Sequence, residues 1–507
     1  MDSAVCLKNI TKTFGKVVAN KDVNLEVNKG EILALLGENG SGKTTLMNML
    51  SGIYYPDSGQ IFINGNEVKI TSPKVSFELG IGMVHQHFKL VDVLSATENI
   101  ILGLPGKLNK KEAKKKICEI CDKYGFDIDP DQKIYNMSVS QKQTVEIIKV
   151  LYRGANILIL DEPTAVLTPQ EADKLFNVLR NMKADGKAIV IITHKLQEVL
   201  ALSDKVAILR KGEYIGTLIT ANTNAQEMTN MMVGRSVNLN IKRNEPVNPQ
   251  PRIIVNNLTV KNEEGVAKLK DVNFTANSGE ILGIAGVSGC GEKELLEAIA
   301  GLAAVESGSI IYNDEKNEQK SLVGLGPKAI RKLGILLSFV PEDRLGMGLV
   351  AGQGMTENMM LRSYEDEGKL IFTDRKEPAN LSKKLVDYLE IVTPGIGTPV
   401  RKLSGGNVQK VLVGREISSS PKVLLTAYAV RGLDINSAYI IYDLINNEKD
   451  KGSAVIFVGE DLDVMLQLCD RILVLCDGEV SGIVDGRNTT KEEVGYLMTT
   501  VGGKKDE

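Results

Sequence analysis

Runs in which every position is apolar punctuate the chain, among them Ile157-Leu158-Ile159-Leu160 and Ala188-Ile189-Val190-Ile191-Ile192. Consecutive apolar positions, as opposed to strict alternation, mark strands covered on both faces. Helix-forming stretches lie between such runs. The resulting strand and helix alternation predicts an α/β fold with a mostly parallel sheet wrapped by helices. Two segments interrupt it. Residues 95–150 contain the charged run from Lys110 to Lys116, and residues 355–415 break the pattern in the same way. Each predicts a helical insert.

A longer period lies over this rhythm. The segment Glu31 to Thr45 returns as Glu280 to Glu294, Val23 to Val27 returns as Val272 to Ala276, and Ser203 to Leu209 returns as Cys469 to Leu475. A spacing of about 250 residues is that of a duplicated domain and is far too long for a stacked repeat array. Residues 235–252 are polar, rich in proline and free of a hydrophobic period, as an extended linker is. The expected organisation is therefore a first domain over 1–234, a linker over 235–252 and a second domain over 253–507.

Length agrees with this division, because 507 residues exceed what one hydrophobic core organises. With 43% hydrophobic and 25% charged residues the composition is that of an ordinary globular protein. A net charge of −3 gives no basic footprint, so no nucleic-acid partner is expected. No apolar run approaches the ~18 residues of a spanning helix, and the amino-terminal residues lack the layout of a signal peptide. The chain is expected in the cytosol. Six cysteines in such a length do not make a disulfide framework, and the single pair Cys118 and Cys121 reads as two small residues on a lysine-rich helix.

The chemistry of the first copy begins at its glycine loop. Gly37, Gly42, Lys43 and Thr44 have the spacing of a phosphate-binding loop, with an apolar strand before them and the helix-forming run Leu46 to Leu50 after. Glycines let the backbone N–H groups of Gly37, Glu38, Asn39, Gly40, Ser41, Gly42, Lys43, Thr44 and Thr45 wrap an anion at a helix start. Lys43 would reach the β- and γ-phosphates, and the Thr44 hydroxyl would hold Mg²⁺. A second apolar strand ends at Asp161 and Glu162, where one acid can hold the metal and the other can act as general base on water. A third ends at Thr193 and His194, one of only three histidines in the chain.

These residues resemble the ATP-binding cassette superfamily over essentially the whole chain. The resemblance makes Gln86 a sensor of the γ-phosphate and a further metal ligand, Phe14 an aromatic platform for adenine, and Leu403-Ser404-Gly405-Gly406-Asn407 the family signature, usually Leu-Ser-Gly-Gly-Gln. In the first copy that signature is altered to Met137-Ser138-Val139-Ser140-Gln141. The family pairs cassettes head to tail, which implies that Ser404, Gly405, Gly406 and Asp434 complete an ATP site with Lys43, Thr44, Gln86, Asp161, Glu162 and His194.

The converse site is poor. Glu292 stands at the lysine position, Ala427 and Tyr428 replace the two acids, Glu342 aligns with Gln86, and Glu460 aligns with His194. A carboxylate in place of a cation reverses the interaction with triphosphate, and loss of one transition-state stabiliser costs roughly 10²–10³ in rate. Hydrolysis is expected in the first copy, with weak or structural nucleotide binding in the second. Lys293 lies one position beyond the usual lysine, rotated by about 100° on a helix.

Fused twin cassettes with a degenerate second half resemble the ATPase subunits of bacterial importers for nucleosides and simple sugars. The strings around Gln86, Glu98-Asn99, Pro163 to Glu171 and Val340 to Arg344 are similar to the nucleoside branch; a ribose- or galactose-type importer is the alternative. That resemblance implies two transmembrane permease subunits, a substrate-binding lipoprotein and a peripheral place on the cytoplasmic face of the cell membrane. A twin-cassette ATPase acting on ribosomes would usually carry two intact sites and a longer charged linker. A regulatory nucleotide sensor would not need Glu162.

Overall fold

The computed structural model describes residues 3–86, 88–104, 109–165, 167–236, 239–262, 264–287, 289–363 and 375–500. His87, Val166, Val237, Asn238 and Ser288, each within a segment read above, lie outside the described residues. The chain divides into two compact units, Met1–Val237 and Asn238–Glu507.

In the first unit the strands Lys205–Arg210, Ile32–Leu36, Ala188–Ile192, Ile157–Asp161 and Ile81–Val84 lie side by side in that order, all parallel. Every residue of the last four is buried. That double-sided burial is why the sequence shows unbroken apolar runs there. Register sets the functional geometry: Leu35 pairs with Ile192, Asp161 with Ile192 and Val84 with Leu160. The four strands thus finish level, and their carboxyl ends deliver the loops that follow to one edge of the sheet.

The mostly parallel sheet expected from sequence is half the story. Ser3–Phe14, Val17–Asn28, Ser58–Ile63 and Asn66–Val68 extend it as an antiparallel arm. Val17–Asn28 alternates buried and exposed positions along Val23 to Val27, the pattern of a strand with one wet face. The insert is helical, with Ala96–Ile101, Lys110–Tyr124 and Val139–Tyr152 packing a small apolar core of their own around Ile100, Ile117, Val145 and Ile148.

The second unit repeats the plan. Leu337–Val340, Val423–Ala427, Ala454–Val458, Glu280–Gly286 and Arg471–Cys476 are parallel, with Glu479–Asp485 antiparallel at the edge. Its antiparallel strands form a separate four-stranded sheet. The repeated Ser-Asp and Cys-Asp starts have a shared cause: Asp204 Oδ2 accepts the N–H of Ile32 and Asp470 Oδ2 that of Ile281, both at 2.9 Å. Part of the proline-rich segment is held on this unit, since Lys449 Nζ donates to the Asn244 carbonyl at 2.7 Å and Arg487 pairs with Glu245 at 2.7 Å. Among the described residues no helix is long and apolar enough to cross a membrane.

Candidate functional site

The loop after Ile32–Leu36 turns through Gly40 and Gly42, whose φ values of 81° and 94° lie in the left-handed region. Gly42 is also packed: a Cβ there would meet the Ala19 carbonyl oxygen at 2.3 Å. Only glycine satisfies both demands. Gly42 caps the helix Lys43–Leu50, so the N–H groups of its first turn face into the loop. Lys43 is buried, and its Nζ donates to the carbonyls of Gly37 at 2.7 Å and Glu38 at 3.0 Å. Burial pushes the Lys43 ammonium below its ordinary pKa, while Glu162, Asp161 and Glu38 pull it back up.

Opposite the loop stand the two acids. Asp161 ends its strand with Oδ2 3.4 Å from Thr44 Oγ1. Glu162, the next residue, takes φ 48°, an uncommon backbone state for a glutamate, and its N–H donates to the Ile192 carbonyl at 2.9 Å. That twist aims its carboxylate between two strand ends. Gln86 Nε2 donates to Glu162 Oε2 at 2.9 Å, and His194 Nδ1 lies 2.9 Å from Glu162 Oε1. The sequence-predicted Lys43, Thr44, Gln86, Asp161, Glu162 and His194 are therefore brought together at one sheet edge.

The acids are driven apart electrostatically. Burial, with the neighbouring Glu162 charge behind it, raises Asp161 from 3.8 to about 6. Glu162 is lowered, first by its hydrogen bond to His194. One carboxyl is thus kept ionised and the other is costly to ionise without a cation beside it. A hard cation with oxygen ligands fits that deficit, since Mg²⁺ takes one or two protein oxygens together with substrate phosphates. Thr44 and Asp161 supply that donor set.

Phe14 ends the first strand and is 42% exposed. It packs edge-on against Tyr54 at 5.1 Å, beyond the far end of the loop helix, and the Lys12 ammonium lies 5.5 Å from its centroid. Its contacts are those of a partly open aromatic step. Sequence reasoning missed Glu198, which accepts from the hydroxyls of Thr164 and, at 3.2 Å, Thr193, and pairs with Lys195 at 3.2 Å. It ties the turn after Glu162 to the turn that carries His194. Its sequence signal, an acid in the first turn of Leu196–Leu202, is shared by many helices.

In the second unit the backbone persists where the chemistry is gone. Gly291 takes φ 111° and caps Glu292–Ile299, and Tyr428 takes φ 53° with its N–H on the Val458 carbonyl at 3.0 Å, matching Glu162. Glu292 is 3% exposed, and its Oε1 lies 3.2 Å from where a Cβ on Gly286 would sit, within the curve of the loop. Burial raises the pKa of this carboxyl, against the opposing pull of its own backbone N–H, the Cys290 thiol and the Gly289 N–H. Lys293 pairs with Glu297 at 3.7 Å one turn on and lines a pocket with Glu342 and Ala427.

The signature is a helix start. Ser404 caps Gly405–Ser418, and Asn407 Nδ2 donates to Ser404 Oγ at 2.8 Å. Asp434 caps Ile435–Asp450 by accepting the Ser437 N–H at 2.9 Å. The two turns touch within this unit, because a Cβ on Gly406 would sit 3.5 Å from Leu433 Cδ2.

A family model described as ABC transporter matches residues 20–165 and again 269–426. The chain is similar to the nucleoside import ATP-binding protein NupA of Lactococcus lactis, with 42% identity covering 100% of this chain and 99% of that protein. The guanosine import ATP-binding protein NupO of Bacillus subtilis is 40% identical over 98% of each chain. A glucose import ATP-binding protein, TsgD13 of Haloferax volcanii, is 37% identical over 97% of this chain and 95% of its own length.

Proposed function

Because the chain belongs to the ABC transporter family, we propose that its first unit is the working ATPase, with Glu162 as general base, and that it drives import of nucleosides. The observation that carries the reading is Glu162 held between Gln86 and His194 at 2.9 Å on either side, across from the phosphate loop.

Lys43 exchanges its two loop carbonyls for the β- and γ-phosphate oxygens, and the loop N–H groups hold the rest of the triphosphate. Thr44, Asp161 and Gln86 would hold Mg²⁺, which when bound would supply positive charge to offset that developing on the triphosphate. Glu162 orients the attacking water and takes its proton as the oxygen bonds to the γ-phosphorus and ADP leaves. A carboxylate held low in pKa is a weak base. It suffices, because a loose phosphoryl-transfer transition state asks mainly for positioning and charge stabilisation. His194 and Gln86 fix that carboxylate, Phe14 stacks on adenine, and Ser404, Gly405, Gly406 and Asp434 are assigned to nucleotide binding. The second loop, occupied by its own Glu292, takes no part in turnover.

From a peripheral place on the cytoplasmic face of the membrane, the subunit passes this work to two transmembrane permease subunits fed by a binding lipoprotein. Nucleoside cargo rests on the relatives named for nucleoside and guanosine import, each nearer in identity than the one named for glucose. The test is reconstitution with its permease subunits and binding lipoprotein. ATP-dependent accumulation of guanosine or uridine in vesicles is expected, and accumulation of glucose or ribose instead would overturn the cargo.

A further inference from the structure

The positions that are catalytic in the first unit carry an inverted charge pattern in the second. In the first unit a central carboxylate, Glu162, is bracketed by Gln86 and His194. In the second the aligned flanking positions are Glu342 and Glu460, and a cation lies between them. Arg431 pairs with Glu342 through Nη1 and with Glu460 through Nε at 2.9 Å, with its guanidinium 5.6 Å from the Tyr428 ring centroid. Ala165 occupies the matching place in the first unit, so this cation has no counterpart there.

The cluster is joined to the signature. The Arg431 carbonyl accepts from Arg344 Nη2, while Arg344 Nη1 donates to the Gly405 carbonyl at 3.0 Å. Phe88 stands where Arg344 does in the first unit. Arg344 is itself set by the turn before it, where Asp343 Oδ1 accepts the N–H groups of Leu345 at 3.2 Å and Gly346 at 2.8 Å. A second tie runs from Gln409 Nε2, in the signature helix, to the Ala429 carbonyl at 2.7 Å. Two strand ends, the turn from Arg431 to Asp434 and the first turn of the signature helix are thereby linked in sequence.

We propose that Glu342, Glu460, Arg431 and Arg344 are positioning residues that fix Ser404-Gly405-Gly406 and Asp434 for ATP hydrolysis, the spent site having become a brace for the signature. Magnitude favours positioning over stability. Arg431, Glu342 and Glu460 are each about half exposed, and exposed ion pairs contribute ~0–1 kcal/mol. A catalytic group displaced by about 1 Å loses rate by up to ~10²-fold. The inference rests on the proposed reading that the signature takes part in ATP hydrolysis.

The test uses the full chain assembled with its permeases. Arg431→Gln is expected to lower kcat about tenfold with KM for ATP little changed, and with unchanged ATP affinity in a Glu162→Gln background. The exchange Arg431→Glu with Glu460→Arg should recover part of the loss, which a merely structural role would not require. Glu460→Gln, milder toward folding, should lower kcat a few-fold in the same pattern. The brace is overturned if Arg431→Gln and Glu460→Gln both keep full kcat while Ser404→Arg is inactive. If Ser404→Arg also keeps full turnover, the functional reading itself fails.

Discussion

Asp161 and Glu162 adjoin in the chain yet are held in opposite states, one raised to about 6 by burial and the other lowered by His194. Linkage gives the sign for Asp161. Its folded pKa lies above the unfolded value of 3.8, so the folded protein binds the extra proton between those values and loses stability as pH rises through them. Asp161→Asn should therefore stabilise the nucleotide-free protein by about 1–2 kcal/mol at pH 8, an advantage shrinking from pH 6 downward and gone below pH 4. Denaturant unfolding across pH checks it; a gain independent of pH would contradict the assignment. Both acids were legible in sequence because they follow an apolar strand. The φ of 48° that turns Glu162 toward Gln86 and His194 was not, since it comes from the N–H bond to Ile192, a strand neighbour distant in sequence.

At the scale of elements, the glycine loops show how much shape survives a change of charge. Both keep a left-handed glycine before a short helix, but the first holds a lysine over its own carbonyls and the second buries a carboxyl within its curve. Sequence alignment exposed the exchange at Glu292. It left Lys293 undecided; in the structure this lysine pairs with Glu297 one turn on. Nucleotide binding should follow this asymmetry. In a Glu162→Gln background, titration with ATP should give one tight site per chain, weakened roughly 10–100-fold by Lys43→Ala. Two tight sites, or one that survives Lys43→Ala, would contradict it. The antiparallel arm was less legible, because its alternating strands resemble surface strands of many folds, and pairings such as Val5 with Ile63 join residues far apart in sequence.

For the whole molecule, duplication appeared in sequence as repeated strings, and the structure adds what each copy does with them. The first unit gathers Lys43, Thr44, Gln86, Asp161, Glu162 and His194; the second turns the corresponding edge into an ion-paired cluster bonded to its signature. No string in the sequence announced that cluster, because Arg431 and Arg344 gain meaning only when four segments meet. On the proposed reading a double chain carries a single engine. The most direct test of that reading is single-turnover hydrolysis by the assembled transporter carrying Glu162→Gln. ATP is expected still to bind, with hydrolysis lowered by roughly 10²–10⁴-fold. Turnover near that of the unaltered protein would contradict it.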